Sequence, residues 1–280
     1  MAIANILALF SSLLWGTSDF LGGTASRNRP AWVVLLWSQA IAFVAVALVA
    51  GIHGDLTHLH PGVWMLWALG AGLCGATGII CLYRALAEGR MGVVSPIVAM
   101  GVLVPFTAGL VAGEHLTNQH TLGVVAAIIG IVLASAPEVT GSAGWRPVAF
   151  AIAAAVLLGF SMLALARGAQ GSVLVTLVIM RAVTALALPI AYLRSPAVRA
   201  LPTRVLLLYG AIGVIEVIAN LTFGYAYRVP GASLSLISVL GSLYPISTVL
   251  FAAIVHKERM AAVQYVGVTF ALVGVSLVSA

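Results

Sequence analysis

The chain of 280 residues is predicted to be an all-α polytopic membrane protein, with ten transmembrane helices built as two inverted five-helix repeats. Three observations carry that expectation. The composition is 62% hydrophobic and 7% charged. The apolar residues gather into runs long enough to cross a bilayer, which takes about 20 residues as a helix. The second half of the chain also repeats the first at a fixed offset.

A soluble domain carries roughly 25% charged and about 45–50% apolar residues. Too little polar surface is available here for a soluble enzyme, a disordered chain or a nucleic-acid-binding domain. The net charge of +6 comes from Lys and Arg scattered at the ends of apolar runs. No basic stretch has interleaved stacking aromatics, so no nucleic-acid partner is expected. Cys74 and Cys81 share one apolar run, about 10 Å apart on a helix, and read as buried thiols.

The ten runs are 3–23, 31–52, 63–87, 92–113, 120–136, 147–167, 172–194, 203–227, 231–254 and 261–280. Arg27-Asn28-Arg29-Pro30 separates the first two, Asp55 to Gly62 the next pair, and Pro137 to Pro147 forms the central polar interval. No run alternates polar and apolar residues over about ten positions, which disfavours an outer-membrane barrel. The first run has no basic residue before it and contains Trp15 and Asp19, unlike a cleavable signal.

Shifted by 144 positions, residues 83–136 fall on 227–280 without a gap. Tyr83-Arg84 meets Tyr227-Arg228, Glu114 meets Glu258, Gly123 meets Gly267, and Gly130 meets Gly274. Two halves follow, 1–140 and 141–280. Five spans per half is an odd number, so halves of like fold must enter the membrane from opposite sides, a plan common in secondary transporters.

Several motifs then resemble a known family. Leu13-Leu14-Trp15-Gly16 resembles the opening of EamA-type members of the drug/metabolite transporter superfamily. Ala85-Leu86, Gly89 and Val93-Val94-Ser95-Pro96-Ile97 resemble its third-to-fourth helix segment, and Glu114, Leu116, Gly123 and Gly130 the end of its first half. Ser242-Leu243-Tyr244-Pro245, Glu258, Gln264, Gly267 and Gly274 repeat the pattern. The resemblance spans the whole chain and implies a ten-helix bundle with a central cavity working by alternating access, commonly as an exporter of amino acids, other metabolites or drugs. Three features depart from it. Gln39 stands where the family often has a basic residue, Gly101 stands opposite Pro245, and Asp19 is outside the general pattern.

Ionisable groups deep in a bilayer are costly, and each is a candidate for function. Arg181 and Glu216 fall near the middle of the seventh and eighth runs and are placed to pair, either as a static tie or on a cavity wall. Asn220 is four residues after Glu216, on the same helix face. Trp15 is a stacking surface or an interfacial ring, Asp19 a cavity carboxyl or a near-interface group, and Gln39 a substrate ligand or interhelical glue. These six residues are the expected substrate-binding set. Gly16, Pro96, Pro105 and Pro245 are expected to kink or gate helices. The Gly70, Gly72, Gly75, Gly78 and Gly109/Gly113 positions suit close helix contacts. Glu114 and Glu258 are expected to bond exposed backbone at the next helix start.

His53, Asp55, His58 and His60 sit in one loop without metal-site spacing, and no metal or cofactor is expected. No Walker A sequence is present, which disfavours ATP-driven transport by this chain. Odd-numbered loops carry ten basic residues (Arg27, Arg29, Arg84, Arg90, Arg146, Arg194, Arg199, Arg204, Lys257, Arg259) and even-numbered loops two, Arg167 and Arg228. The positive-inside rule then places both termini outside, whereas members of the family are usually drawn with both inside. The sequence therefore predicts a multi-pass transporter of the cell (inner/plasma) membrane, an exporter of small molecules with protons as a candidate partner, monomeric or homodimeric. The competing readings are an uptake permease of the same fold, an intramembrane lipid-modifying enzyme and a receptor-type membrane protein.

Overall fold

A computed structural model describes residues 2–56, 61–89, 94, 97–134, 145–199, 201–256 and 261–279. Regular structure among them is helical: α1 (Ala2–Ser26), α2 (Ala31–Ile52), α3 (Val63–Glu88), a 3-10 turn (Met100–Val102) leading into α4 (Leu103–Val111), α5 (Asn118–Ala134), α6 (Trp145–Ala169), α7 (Val173–Ala185), α8 (Ala187–Arg194), the single turn α9 (Pro196–Arg199), α10 (Thr203–Ala226), α11 (Leu234–Gly241), α12 (Tyr244–His256) and α13 (Ala262–Ser279). Among the described residues six spans are long and apolar enough to cross a membrane: α1, α2, α3, α6, α10 and the joined α7–α8. Four apolar helices are shorter, over Ile97–Val111, Asn118–Leu133, Leu234–Thr248 and Ala262–Val278.

The bundle is apolar outside, and its largely apolar interior also encloses a set of polar side chains. Ile3, Ile6, Phe10 and Leu13 of α1 are exposed, as are Leu122, Val125, Ile129 and Val132 of α5, each set at the three- and four-residue spacing of a single helix face. Such stripes are tolerable where lipid covers them. Ser11, Ser38, Gln39, Thr176, Arg181, Glu216 and Asn220 are buried.

Three runs read from the sequence as continuous helices are interrupted among the described residues, each about four residues before a proline. A proline ring clashes with the carbonyl four residues earlier and supplies no N–H. Pro189 acts on Ala185, where α7 ends before Leu186. Pro245 acts on Gly241, where α11 ends before Ser242 and Leu243. In the first half Pro105 stands four residues after Gly101, inside the 3-10 turn that precedes α4. Pro96 falls outside the described residues. Gly16 introduces no break, because α1 runs uninterrupted through it.

The helix pairings are unchanged when the two halves are exchanged. Helix α3 lies along α6 as α10 lies along α1, while α2 packs on α7 and α5 on α13. Ser161 Oγ donates to the Ala71 carbonyl across the first pair, and Ser11 Oγ to the Ala219 carbonyl across the second, both at 2.8 Å. Gly16 of α1 packs on the break before α12, where a Cβ would come within 2.4 Å of the Tyr244 carbonyl. Gly159 of α6 packs in the same way on the 3-10 turn, with 2.3 Å to the Gly101 carbonyl.

The α5–α13 seam is equally tight. A Cβ on Gly130 would come within 2.4 Å of the Ala271 nitrogen, whereas one on Gly70 would meet nothing within 4 Å. Overpacking of this kind costs about 1–3 kcal/mol. Gly130→Leu is expected to lower the melting temperature in detergent by several degrees, and Gly70→Leu to leave it nearly unchanged. Equal melting temperatures for the two variants would contradict the packing.

Candidate functional site

Near the middle of the bundle α2, α7 and α10 each present one polar side chain to the others. Arg181 Nη1 donates to Glu216 Oε1 at 2.9 Å and also to Gln39 Oε1. Gln39 Nε2 donates to Glu216 Oε2 at 2.7 Å. The three groups close a ring in which both carboxylate oxygens accept and both Nη1 hydrogens are used. Gln39 is 2% exposed, Arg181 3% and Glu216 7%, so the ring is shielded from bulk solvent. Gln39 therefore serves as a tie between helices while it also lines the cavity described next.

The ring forms part of the wall of a cavity of about 850 Å³, open solvent at its mouth included. All six residues of the expected binding set line it: Trp15, Asp19, Gln39, Arg181, Glu216 and Asn220. Trp15 stands edge-on to Phe223 with centroids 4.7 Å apart. Among the described residues Asp19 makes no ion pair with Arg27 or Arg29. Its carboxyl faces the cavity within electrostatic reach of Glu216, and among the described residues no hydrogen bond or ion pair reaches it.

Other lining residues were outside the expected binding set. Thr184 sits one turn beyond Arg181 on α7, and Ser242 and Tyr244 flank the break made by Pro245. The spacing of Thr184 from Arg181 and the Ser-Leu-Tyr-Pro motif were the available signals. Ile79, Val98, Val102, Leu158, Met162 and Leu165 make the rest of the wall largely apolar.

Glu114 does not bond the start of the next helix. It reaches the second half instead, where Oε1 accepts from the Leu234 N–H at 2.7 Å and Oε2 from the Ser235 N–H at 3.0 Å. The Ser233 hydroxyl donates to Oε2 at 2.8 Å and accepts from the Leu236 N–H at 3.2 Å, so residue and helix cap are joined. Glu258 lies outside the described residues, as do His58 and His60. Among the described residues no three His, Cys, Asp or Glu side chains gather as a metal site.

A helical membrane bundle with a buried, charged cavity at the junction of its two halves defines a membrane transporter. The family model of the EamA-like transporter family matches the chain twice, over residues 2–136 and 145–280, and the chain belongs to that family. No curated protein matches the sequence. One solved crystal structure, described only as that of a protein, superimposes with a TM-score of 0.75 at 20% identity, covering 98% of this chain and 95% of the other. A likeness at that identity concerns the fold alone.

Removing one partner of a buried ion pair leaves a bare charge and costs about 3–5 kcal/mol, while replacing both by apolar groups is often near neutral. Arg181→Met and Glu216→Leu are each expected to destabilise the purified protein strongly, and the double variant to recover most of the loss. Additive losses in thermal melts would mean the pair is not coupled.

Burial pushes the Glu114 carboxyl up, but the bonds from the Ser235 N–H, the Ser233 hydroxyl and the Leu234 N–H outweigh it and hold the group below its ordinary range. Its support is thus complete above the ordinary carboxyl pKa of about 4.3 and is lost as pH falls through the lower folded value. Glu114→Gln is expected to cost about 1 kcal/mol at neutral pH, the usual worth of a cap. The gap between variant and wild type should narrow below about pH 4. A gap that widens on acidification would reverse the assignment.

Proposed function

We propose that the chain is a secondary transporter that exports small metabolites or drugs, amino acids or related compounds, by alternating access around the central cavity. The observation that carries this reading is the charged ring on the cavity wall, to which Gln39 contributes from the first half and Arg181 and Glu216 from the second. A group buried at such cost earns its place where a solute has to be held. Residues 1–140 and 141–280 act as the two inverted halves, and rocking one against the other exposes the cavity to each side in turn. Breaks at Pro105 and Pro245, each packed by a glycine of the opposite half, are the proposed points of bending.

Coupling to protons belongs to the same reading. Glu216 and Asp19 are the two carboxyls on the described cavity wall, with Arg181, Tyr244 and Gln39 facing them. The excess of basic residues in odd-numbered loops supports both termini outside the cell membrane. The protein works as a monomer or a homodimer.

Substrate-dependent flux in proteoliposomes, measured over a panel of amino acids, nucleosides, sugars and cationic drugs, is the test. Saturable flux of at least one compound is expected, with export favoured in oriented vesicles. Glu216→Gln and Asp19→Asn are expected to flatten the pH dependence of that flux. Flux with unchanged rate and pH dependence in both variants would end the proton-coupled reading, and no flux from any compound would end the transporter reading of the cavity.

A further inference from the structure

One end of the bundle is tied together across the two halves. Helix α11 starts there, and its first turn is held by the first half: Glu114 accepts from the Leu234 and Ser235 N–H groups and from the Ser233 hydroxyl. Ser235 Oγ in turn donates to the Phe106 carbonyl of α4 at 3.1 Å. A Cβ on Gly109 would come within 2.3 Å of Ser235 Oγ, so the glycine lets α4 and α11 meet. One turn along α11 the Ser238 and Tyr227 hydroxyls pair at 2.8 Å. Near its far end Gly241 lies on Phe223, where a Cβ would come within 2.6 Å of the ring. The next residue, Ser242, is on the cavity wall.

An aromatic ladder leads from the cavity toward the same end. Trp15 and Asn220 line the cavity. Phe223 and Tyr227 follow Asn220 at steps of three and four residues, on one face of α10 and its cap. Trp15 meets Phe223 edge-on, and Phe223 meets Tyr227 edge-on with centroids 4.9 Å apart. Both Phe223 and Tyr227 are buried. Helix α11 thus spans from the Glu114 cap to the cavity wall, and it touches the ladder at Ser238 and Gly241 on the way. Immediately beyond it the backbone is irregular, at Ser242 and Leu243. A short helix held at one end by a few polar bonds, and joined at the other to irregular backbone, can swing as one piece.

We propose that α11 is the gate of the cavity at this end, and that Glu114 and Tyr227 are the positioning residues that latch it closed. This rests on the transporter reading above and deepens it, by naming the element that moves and the bonds that have to break. Opening swings α11 about Ser242–Leu243, releases the bonds to Glu114 and Tyr227, and lifts Gly241 off Phe223. Glu114 is half-buried at the end of its helix, so water can take over its bonds and the net loss on opening is small. The aromatic rings stay with α1 and α10, and lose only their cover.

The test uses the full chain in lipid nanodiscs, with Cys74→Ala and Cys81→Ala as the background. Val239→Cys puts a thiol on α11 at a fully buried position outside both the latch and the cavity wall. Ile131→Cys puts one at an equally buried position in the α5–α13 seam. The rate of reaction with a water-soluble maleimide reads how often each position opens. Glu114→Gln and Tyr227→Phe are each expected to raise the rate at Val239→Cys about fivefold, the factor that one cap or hydrogen bond corresponds to. The rate at Ile131→Cys should not change. Equal acceleration at both positions would mean general loosening, and no acceleration a static tie; either result overturns the gate. In a second arm, Glu114→Cys and Ser233→Cys are joined by a short bifunctional thiol reagent in proteoliposomes. Cross-linking is expected to stop the flux of every compound that the transport panel finds to be carried, and reduction to restore it. Flux that persists in the cross-linked protein removes the gate and leaves the transporter reading standing. A panel in which no compound is carried ends the transporter reading and the gate with it.

Discussion

The positive charge of Arg181 in the middle of the bundle constrains everything around it. A lone guanidinium at the centre of a membrane helix costs at least about 2.5–3.5 kcal/mol by insertion scales, and a hydrogen-bonded counter-charge has to be held within reach to offset it. Glu216 and Gln39 supply this from two other helices, and their side chains are short enough that the backbones have to approach closely. The glycines beside the ring permit the approach. A Cβ on Gly213, one turn before Glu216, would come within 2.1 Å of the carbonyl of Ser38, the residue before Gln39. A Cβ on Gly72 would come within 2.9 Å of the carbonyl of Met180, the residue before Arg181. The Gly213 contact brings α10 onto α2 and the Gly72 contact brings α3 onto α7, so close backbone approach flanks the ion pair on two sides.

Around that centre the two halves exchange roles. The long helices α1 and α6 each place a serine hydroxyl on a carbonyl of the opposite half and a glycine on its interrupted helix. Interrupted helices put backbone polar groups beside the cavity, where irregular backbone is tolerated at membrane depth. Ser242 and Tyr244 reach the cavity wall by that route. Close packing is thus found in the α5–α13 seam and the serine-tied pairs, and irregular backbone next to the cavity.

Much of this was legible in the residues. Composition and run length led to a helical membrane protein, the offset of 144 to two halves, and the scarcity of charge to Arg181 and Glu216. Asn220 followed from its spacing to Glu216 on one helix face. The environment of Asp19 was not legible, because its distance from the helix end suggested an interface and only the tertiary packing of α1 places it on the cavity. The reach of Glu114 across 119 to 121 residues was hidden for a related reason: a carboxylate after a helix reads as a local cap, and sequence carries no mark of a distant one. Thr184 and Ser242 were obscured because hydroxyl residues are common in membrane helices, where most of them satisfy their own backbone.

The long-range cap has a consequence for how the chain comes into being. During synthesis Glu114 emerges well before Ser233, Leu234 and Ser235, the groups that will satisfy it. Until they follow, the carboxylate lacks the three donors that satisfy it in the finished fold, so this bond cannot be completed within the first half alone.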